Sequence, residues 1–118
     1  VIVWLDSEHA KIFKLAPEKK QMEMVKHHTH EHHTSADAER QKHMDKYFKD
    51  VAHHVESIAN ELLIIGPGQA KSQFKHYLAS HSANLAKQVV GVEASDHPTD
   101  AEILAKARSF FKEYDRFH

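Results

Sequence analysis

The sequence predicts an α/β protein, with three strands followed by alternating helices and strands. Three observations support this. A β-branched and aromatic run and two segments of alternating apolar and polar residues occupy the first thirty positions, apolar residues then recur at helical spacing, and two short apolar runs each lead into a new helical pattern. Alternation is typical of half-buried strands, and spacings of three and four residues are typical of amphipathic helices. The predicted order is therefore β-β-β-α-β-α-β-α.

Three strands are predicted near the start of the chain. They are VIVWLD at 1–6, AKIFKLA at 10–16 and QMEMVKHHT at 21–29. The polar segments SEH and PEKK between them provide turns. Turns this short join antiparallel neighbours, so the three strands should form a meander.

A helix of about 20 residues is predicted next, since an apolar stripe follows a start at residues 34–37 that can form a cap. The stripe consists of Met44, Phe48, Val51, Val55 and Ile58.

Two buried strands and two further helices complete the prediction. ELLIIG at 61–66 and QVVGVEA at 88–94 are short and mostly apolar, as parallel strands covered on both faces are. Thr99 and Glu102 have the spacing of a capping box at the start of the last helix. Right-handed crossovers then give one mixed five-stranded sheet in the order 3-2-1-4-5, with helices on its faces. We expect a single domain over residues 1–118.

Composition narrows the function classes. The chain has no cysteine, which excludes disulfides, thiolate metal sites and a cysteine nucleophile. No stretch approaches the roughly 20 apolar residues that span a bilayer, so no membrane partner is expected. The first residues do not form a basic targeting segment, and the cytoplasm is the expected compartment. The formal net charge of −1 gives no overall basic footprint for nucleic acid.

Five of the thirteen histidines lie in the run HHTHEHH at 27–33. On an extended segment His28, His30 and His32 project to one side, where imidazoles can bind Zn²⁺ or Ni²⁺. Two other interpretations fit the run as well, namely a solvated polar loop and a tip that contacts RNA or a partner protein and responds to pH. No resident cofactor is expected beyond that candidate metal.

A row of cations is predicted on the first helix, opposite its apolar stripe. Lys42, Lys46, Lys49 and His53 follow one another at helical spacing. They form either an ordinary solvated face, because Asp45, Asp50 and Glu56 lie near them, or a face that contacts phosphates.

A second candidate for phosphate contact is the turn GPGQAK at 66–71. Gly66 and Gly68 allow a sharp turn, and the free amides of a helix start together with Lys71 and Lys75 can hold a phosphate. A purely structural turn explains the same glycines, and the spacing is not that of a P-loop.

Isolated aromatic and histidine residues receive simpler interpretations. Trp4 and Phe13, on neighbouring strands, are expected in the core. The scattered histidines His9, His81, His97 and His118 are expected at the surface.

The predicted strand order is the ribonuclease H-like one, which raises a nuclease hypothesis. Such enzymes gather several carboxylates around two divalent ions. Asp6 ends the first strand suitably, but the fourth strand ends without an acid. We therefore do not expect nuclease activity.

Several segments together resemble the middle domain of archaeal and eukaryotic class-one peptide-chain release factors, which Pelota-type ribosome rescue factors share. The resemblance covers nearly the whole chain and rests on the order of elements and on the turn GPGQAKSQF, which in free-standing bacterial relatives reads GPG, a polar residue and AK. The segments that carry the resemblance are VIVWLD, AKIFKLA, ERQKHMDKYFKDVAHHV, LLIIGPGQAKSQFKHYL and QVVGVEASDHPTDAEILAKA.

The resemblance implies a function in translation through contact with the ribosome or RNA. In release factors the loop before the long helix carries Gly-Gly-Gln, which promotes peptidyl-tRNA hydrolysis. That interval here reads HHTHEHHTSADAERQ, so we expect a non-catalytic protein. The pair Gly68-Gln69 lies elsewhere in the topology and cannot replace the motif. Two alternatives are a metal-binding or pH-responsive accessory protein that uses residues 27–33, and a protein-binding adaptor. The sequence leaves the oligomeric state open.

Overall fold

The computed structural model describes residues 1–15, 20–26, 37–56 and 61–117. Its strands are β1 (Ile2–Leu5), β2 (His9–Leu15), β3 (Lys20–Lys26), β4 (Leu62–Gly66) and β5 (Val89–Ala94). Its helices are α1 (Asp37–Glu56), α2 (Ala70–His81), α3 (Ala83–Ala86) and α4 (Asp100–Phe117). The α/β class and the succession of strands and longer helices are confirmed. The short helix α3 was not predicted, because four residues are too few to show a helical period.

The strands form one mixed sheet in the order β3-β2-β1-β4-β5. The meander β1-β2-β3 is antiparallel, whereas β1, β4 and β5 run parallel to one another. The carboxyl ends of these three parallel strands therefore meet at one edge of the sheet. We call the ends of these strands together with the segments that follow them, residues 4–9, 66–69 and 94–99, the carboxyl edge. A hydrogen bond of 3.0 Å from the Ser95 amide to the Gly66 carbonyl joins two of them.

Apolar side chains fill both faces of the central strands. Val3 and Leu5 of β1 pack on the face covered by α1 and α2, and Ile2 and Trp4 pack on the face covered by α4. β4 alternates in the same way, which explains why its sequence is a continuous apolar run. Trp4 and Phe13 are each only 2% exposed, so their predicted place in the core is confirmed.

The predicted capping box at the start of α4 is also confirmed. The Thr99 amide donates to Glu102 Oε1 at 3.0 Å, and the Glu102 amide donates to Thr99 Oγ1 at 3.2 Å. These reciprocal bonds satisfy two amides that have no partner within the helix. They fix the point at which the chain leaves the carboxyl edge and enters α4.

Candidate functional site

The lysines predicted on α1 form an exposed row. Lys42, Lys46 and Lys49, which we call the α1 lysine row, are all exposed, as is His53. Buried residues such as Val51 lie on the opposite side of the helix. Among the described residues, no carboxylate forms an ion pair with the row. This exposure fits both a solvated face and a phosphate-contacting face, so the role of the row stays a prediction.

A groove that sequence reasoning missed lies between α1 and α2. Its volume is about 690 Å³, and Met44 and Phe48 of α1 line one side. The α2 side is formed by Gln69, Ser72, Gln73, His76, Tyr77, Ser80 and His81. The apolar residues of α1 and the polar residues of α2 are far apart in the chain, and only the tertiary packing brings them together. The single sequence signal was the helical spacing of the polar α2 residues, which is also that of an ordinary solvated face.

Tyr77 is the half-buried aromatic residue of this groove. Burial raises the pKa of its hydroxyl, and the negative charges of Asp45 and Asp50 raise it further. The hydroxyl therefore keeps its proton at neutral pH and can donate a hydrogen bond. Asp45 also lines the groove, which makes the groove unfavourable for an anion.

The glycines of the GPG turn have structural reasons of their own. A Cβ on Gly66 would lie 2.0 Å from the Leu5 carbonyl oxygen, so only glycine lets β4 end beside β1. Gly68 has a φ of +60°, the left-handed conformation that glycine adopts without strain. Lys71 donates a hydrogen bond to the Gly68 carbonyl. Gly66, Gly68 and Lys71 therefore all take part in holding the turn.

The start of α2 is a poorer place for a phosphate than its sequence indicates. The side chain of Gln69 does not cap the helix, and no acidic residue occupies its first turn. However, Asp6 and Glu8 share a cavity of about 370 Å³ with this helix start, and their carboxylates would repel a phosphate. Lys75 is exposed on α2 but does not line the α1–α2 groove. Neither Lys71 nor Lys75 lines the α1–α2 groove. Contact of the GPG turn with a phosphate stays a prediction.

Asp6 anchors the turn between β1 and β2. Its Oδ1 accepts hydrogen bonds of 2.8 Å from the amides of both Glu8 and His9. Its two oxygens also lie 3.5 Å from ring nitrogens of His9 and His97. Burial would raise the pKa of Asp6, but the two amides and the nearby imidazoles outweigh it and hold the pKa below its usual range.

Trp4 completes a polar and aromatic cluster with these residues. The centroid of its ring lies 5.3 Å from those of both the His9 and the His97 rings. Its indole Nε1 donates to the Asp96 carbonyl at 2.9 Å. His97 is largely exposed, as expected, whereas His9 is partly buried beside Trp4. Sequence reasoning treated these histidines separately because residues 9 and 97 are far apart in the chain.

The structure describes some of the residues in the two metal hypotheses, which concern the histidine run and a nuclease site. Among them, no group of three or more histidine, cysteine, aspartate or glutamate side chains is placed to hold a metal ion. Asp6, the carboxylate of the nuclease hypothesis, is occupied in holding its turn. The predicted ligands His28, His30 and His32 lie outside the described residues, as do the rest of the histidine run and the predicted cap at 34–36.

Three solved structures have folds similar to that of this chain. Pelota from Archaeoglobus fulgidus matches with a TM-score of 0.66 and 16% identity over 92% of this chain. Pelota from Thermoplasma acidophilum matches with a TM-score of 0.62 and 22% identity over 85% of this chain. The archaeal translation termination factor aRF1 matches with a TM-score of 0.62 and 13% identity over 97% of this chain. The chain shares its fold with parts of these proteins.

The match covers only part of each relative. This chain spans 30% and 28% of the two Pelota chains and 39% of aRF1. No protein-family model and no curated protein matches the sequence. None of the helices within the described ranges is long and apolar enough to cross a membrane.

Proposed function

We propose that this chain acts in translation as a non-catalytic domain that contacts the ribosome or RNA. The observation that carries the proposal is the structural likeness to two Pelota proteins and to a translation termination factor. It extends over at least 85% of this chain in each of the three, so it concerns nearly the whole fold rather than a common supersecondary unit. In this proposal the sheet is a ribonuclease H-like scaffold used for binding.

The α1 lysine row is the surface that we assign to this contact. Its three ammonium groups are exposed on one side of a single helix, where they can approach successive phosphates. The chain as a whole carries a formal net charge of −1, so attraction to RNA must come from a local patch. The carboxyl edge, where Asp6 and Glu8 face the start of α2, is less suited to that role.

The proposal includes no bond-breaking chemistry. The sequence between β3 and α1 lacks the Gly-Gly-Gln motif on which peptide release depends in the release factors that it resembles. A protein of this kind would bind and position. A partner would supply any reaction.

Co-sedimentation with purified ribosomes at increasing salt tests the proposal. We expect the wild-type protein to pellet with ribosomes at low salt and to be released as salt rises, because each phosphate contact releases counterions. Lys42/Lys46/Lys49→Ala should reduce pelleting by about tenfold or more. It should also lower the slope of log affinity against log salt concentration by about two to three, since up to three phosphate contacts are lost.

A matched control removes three other exposed cations. Lys87, Arg108 and Lys112 lie outside α1, and replacing them with alanine changes the net charge by the same amount. We expect this variant to pellet like the wild type. A wild-type protein that stays in the supernatant at low salt contradicts the proposed function, and equal losses in both triple variants contradict the assignment to α1.

A further inference from the structure

An aromatic ladder runs from the core to the surface beside the α1–α2 groove. The Phe74 and Phe48 rings lie 5.5 Å apart, and the Phe48 and Tyr77 rings lie 5.8 Å apart. The last step is different, because the Tyr77 and His81 rings are stacked at 4.3 Å with an angle of only 13°. The ladder therefore ends in the exposed His81 ring, one face of which is covered by Tyr77.

The orientation of the His81 ring is fixed by a hydrogen bond. Its Nδ1 lies 3.2 Å from the Tyr77 carbonyl oxygen. Since a carbonyl can only accept, Nδ1 carries the proton and donates it. The outer face of His81 is thus a supported planar surface, such as those on which unpaired bases stack.

Beside this surface lie polar side chains that have no hydrogen-bond partner among the described residues. Gln69, Gln73, His76 and Ser80 line the groove and are exposed. Within the described ranges, their side chains form no hydrogen bonds. The two glutamine amides can each donate and accept, which is what recognition of the edge of a nucleobase requires.

The charges favour a neutral planar group in the groove and an anionic group outside it. Asp45 contributes negative charge to the groove, and among the residues that the structure describes no lysine or arginine lines it. The α1 lysine row lies on the solvent side of the same helix that forms one wall. A nucleotide has this distribution of charge, since its base is neutral and its phosphates are anionic.

We propose that the α1–α2 groove binds an unstacked nucleobase of single-stranded RNA, with the base stacked on His81 and its edge read by Gln69 and Gln73. This rests on the proposed function in that RNA is the ligand. The groove volume of about 690 Å³ accommodates a nucleoside. Contact of the neighbouring phosphates with the α1 lysine row makes the two features parts of one RNA-binding surface.

NMR titration of the full chain with four RNA homohexamers tests the proposal. We expect the His81 ring protons to shift upfield because of the ring current of a stacked base, and the side-chain amide signals of Gln69 and Gln73 to move with them.

His81→Ala should weaken hexamer binding about fivefold or more, since it removes one stacking surface. His81→Phe should restore most of the affinity, because it keeps a planar ring. The matched control is His54→Ala, which removes an exposed histidine that lies outside both the groove and the row of cations on α1, and it should leave the affinity unchanged.

The outcomes separate this proposal from the proposed function. If ribosomes pellet the protein but no hexamer shifts His81 or the glutamine amides, the groove proposal is wrong and the proposed function stands. If hexamers bind the groove but ribosomes never pellet the protein, the groove proposal stands and the function in translation fails. If a tyrosine-containing tetrapeptide moves these signals and no hexamer does, the occupant is a peptide and the groove proposal is wrong.

Discussion

The carboxyl edge and the α1–α2 groove contain similar residues, but their polar groups differ in whether they are hydrogen-bonded within the fold. Each has an aromatic ring beside histidine, namely Trp4 with His9 and His97 at the edge, and Tyr77 with His81 at the groove. At the edge, Asp6 accepts two amide hydrogen bonds and the Trp4 indole donates one, so these polar groups are used within the fold. At the groove, Gln69 and Gln73 have no such partners among the described residues. Composition alone therefore does not distinguish a structural cluster from a binding surface.

The difference has an energetic consequence. A hydrogen bond made within the fold stabilises it by about 1 kcal/mol, and its loss is measurable as a lower free energy of unfolding. An exposed polar group without a partner contributes little to stability but can bind a ligand at little cost. Substitutions at the carboxyl edge should accordingly affect folding, and substitutions at the groove should affect binding.

The largest effect on folding should come from Gly66→Ala. The added Cβ would lie 2.0 Å from the Leu5 carbonyl oxygen, which is backbone and cannot move without separating β1 from β4. We expect a loss of about 3 kcal/mol in the free energy of unfolding, measured by urea denaturation.

Gly68→Ala is the matched control for this prediction. It introduces strain at a φ of +60° but no contact within 4 Å, so it should cost only about 1 kcal/mol. Equal losses for the two variants would show that the close approach of β1 and β4 is not the reason for Gly66.

Asp6→Ala should have the next largest effect. It removes the acceptor of two hydrogen bonds of 2.8 Å, from the Glu8 and His9 amides, and should cost about 2 kcal/mol. Asp6→Asn keeps an acceptor oxygen and should cost less.

The pH dependence isolates the charge of Asp6. Its pKa is lower in the folded protein than the ordinary value of 3.8, so the charged form stabilises the fold above that pH. The advantage of the wild type over Asp6→Asn should be constant at neutral pH and should disappear as the pH falls below about 4. Urea denaturation between pH 2 and pH 7 measures this, and an advantage that persists at the lowest pH would mean that charge is not its source.

Local patterns were sufficient to predict most of the scaffold. The continuous apolar runs of β1 and β4 and the alternation in β2 predicted strands, and the helical spacing of apolar residues predicted α1, because burial acts directly on the residues of each element. The Thr99–Glu102 capping box was equally local, and the observed hydrogen bonds match it. The helix α3 was not predicted, because its four residues make barely one helical turn and cannot show a repeating pattern.

Features that depend on distant parts of the chain were not predicted. The approach of His97 to Asp6, and that of Phe48 to Tyr77, exists only after the crossovers have formed. Lys71 illustrates the same limit, since its place near the start of a helix suited a phosphate site, whereas its ammonium group donates a hydrogen bond to the Gly68 carbonyl. The sequence identifies residues capable of binding, but the folded chain determines which of them already have partners.

Tyr47→Phe tests the link between the two regions. Tyr47 lies on α1, and its hydroxyl donates to the Asp6 carbonyl at 2.9 Å, so it connects the helix to the carboxyl edge. We expect a loss of about 1 kcal/mol in the free energy of unfolding at neutral pH, measured by urea denaturation.

Burial, followed by the charge of Asp6, raises the pKa of Tyr47. The unfolded chain therefore ionises first, and the advantage of the wild type over Tyr47→Phe should shrink above about pH 10. An unchanged difference at high pH would contradict the buried, neutral hydroxyl.

The smallest effect on stability is expected at the groove. Gln73→Ala and Ser80→Ala remove exposed groups that have no side-chain hydrogen bonds among the described residues, and each should change the free energy of unfolding by less than about 0.5 kcal/mol. A loss of 1 kcal/mol or more would mean that the side chain already has a partner within the folded chain. In that case the groove would be a structural cluster like the carboxyl edge, and the contrast between the two regions would no longer hold. Stability and hexamer affinity measured on the same Gln73→Ala sample therefore decide whether its amide serves the fold or a ligand.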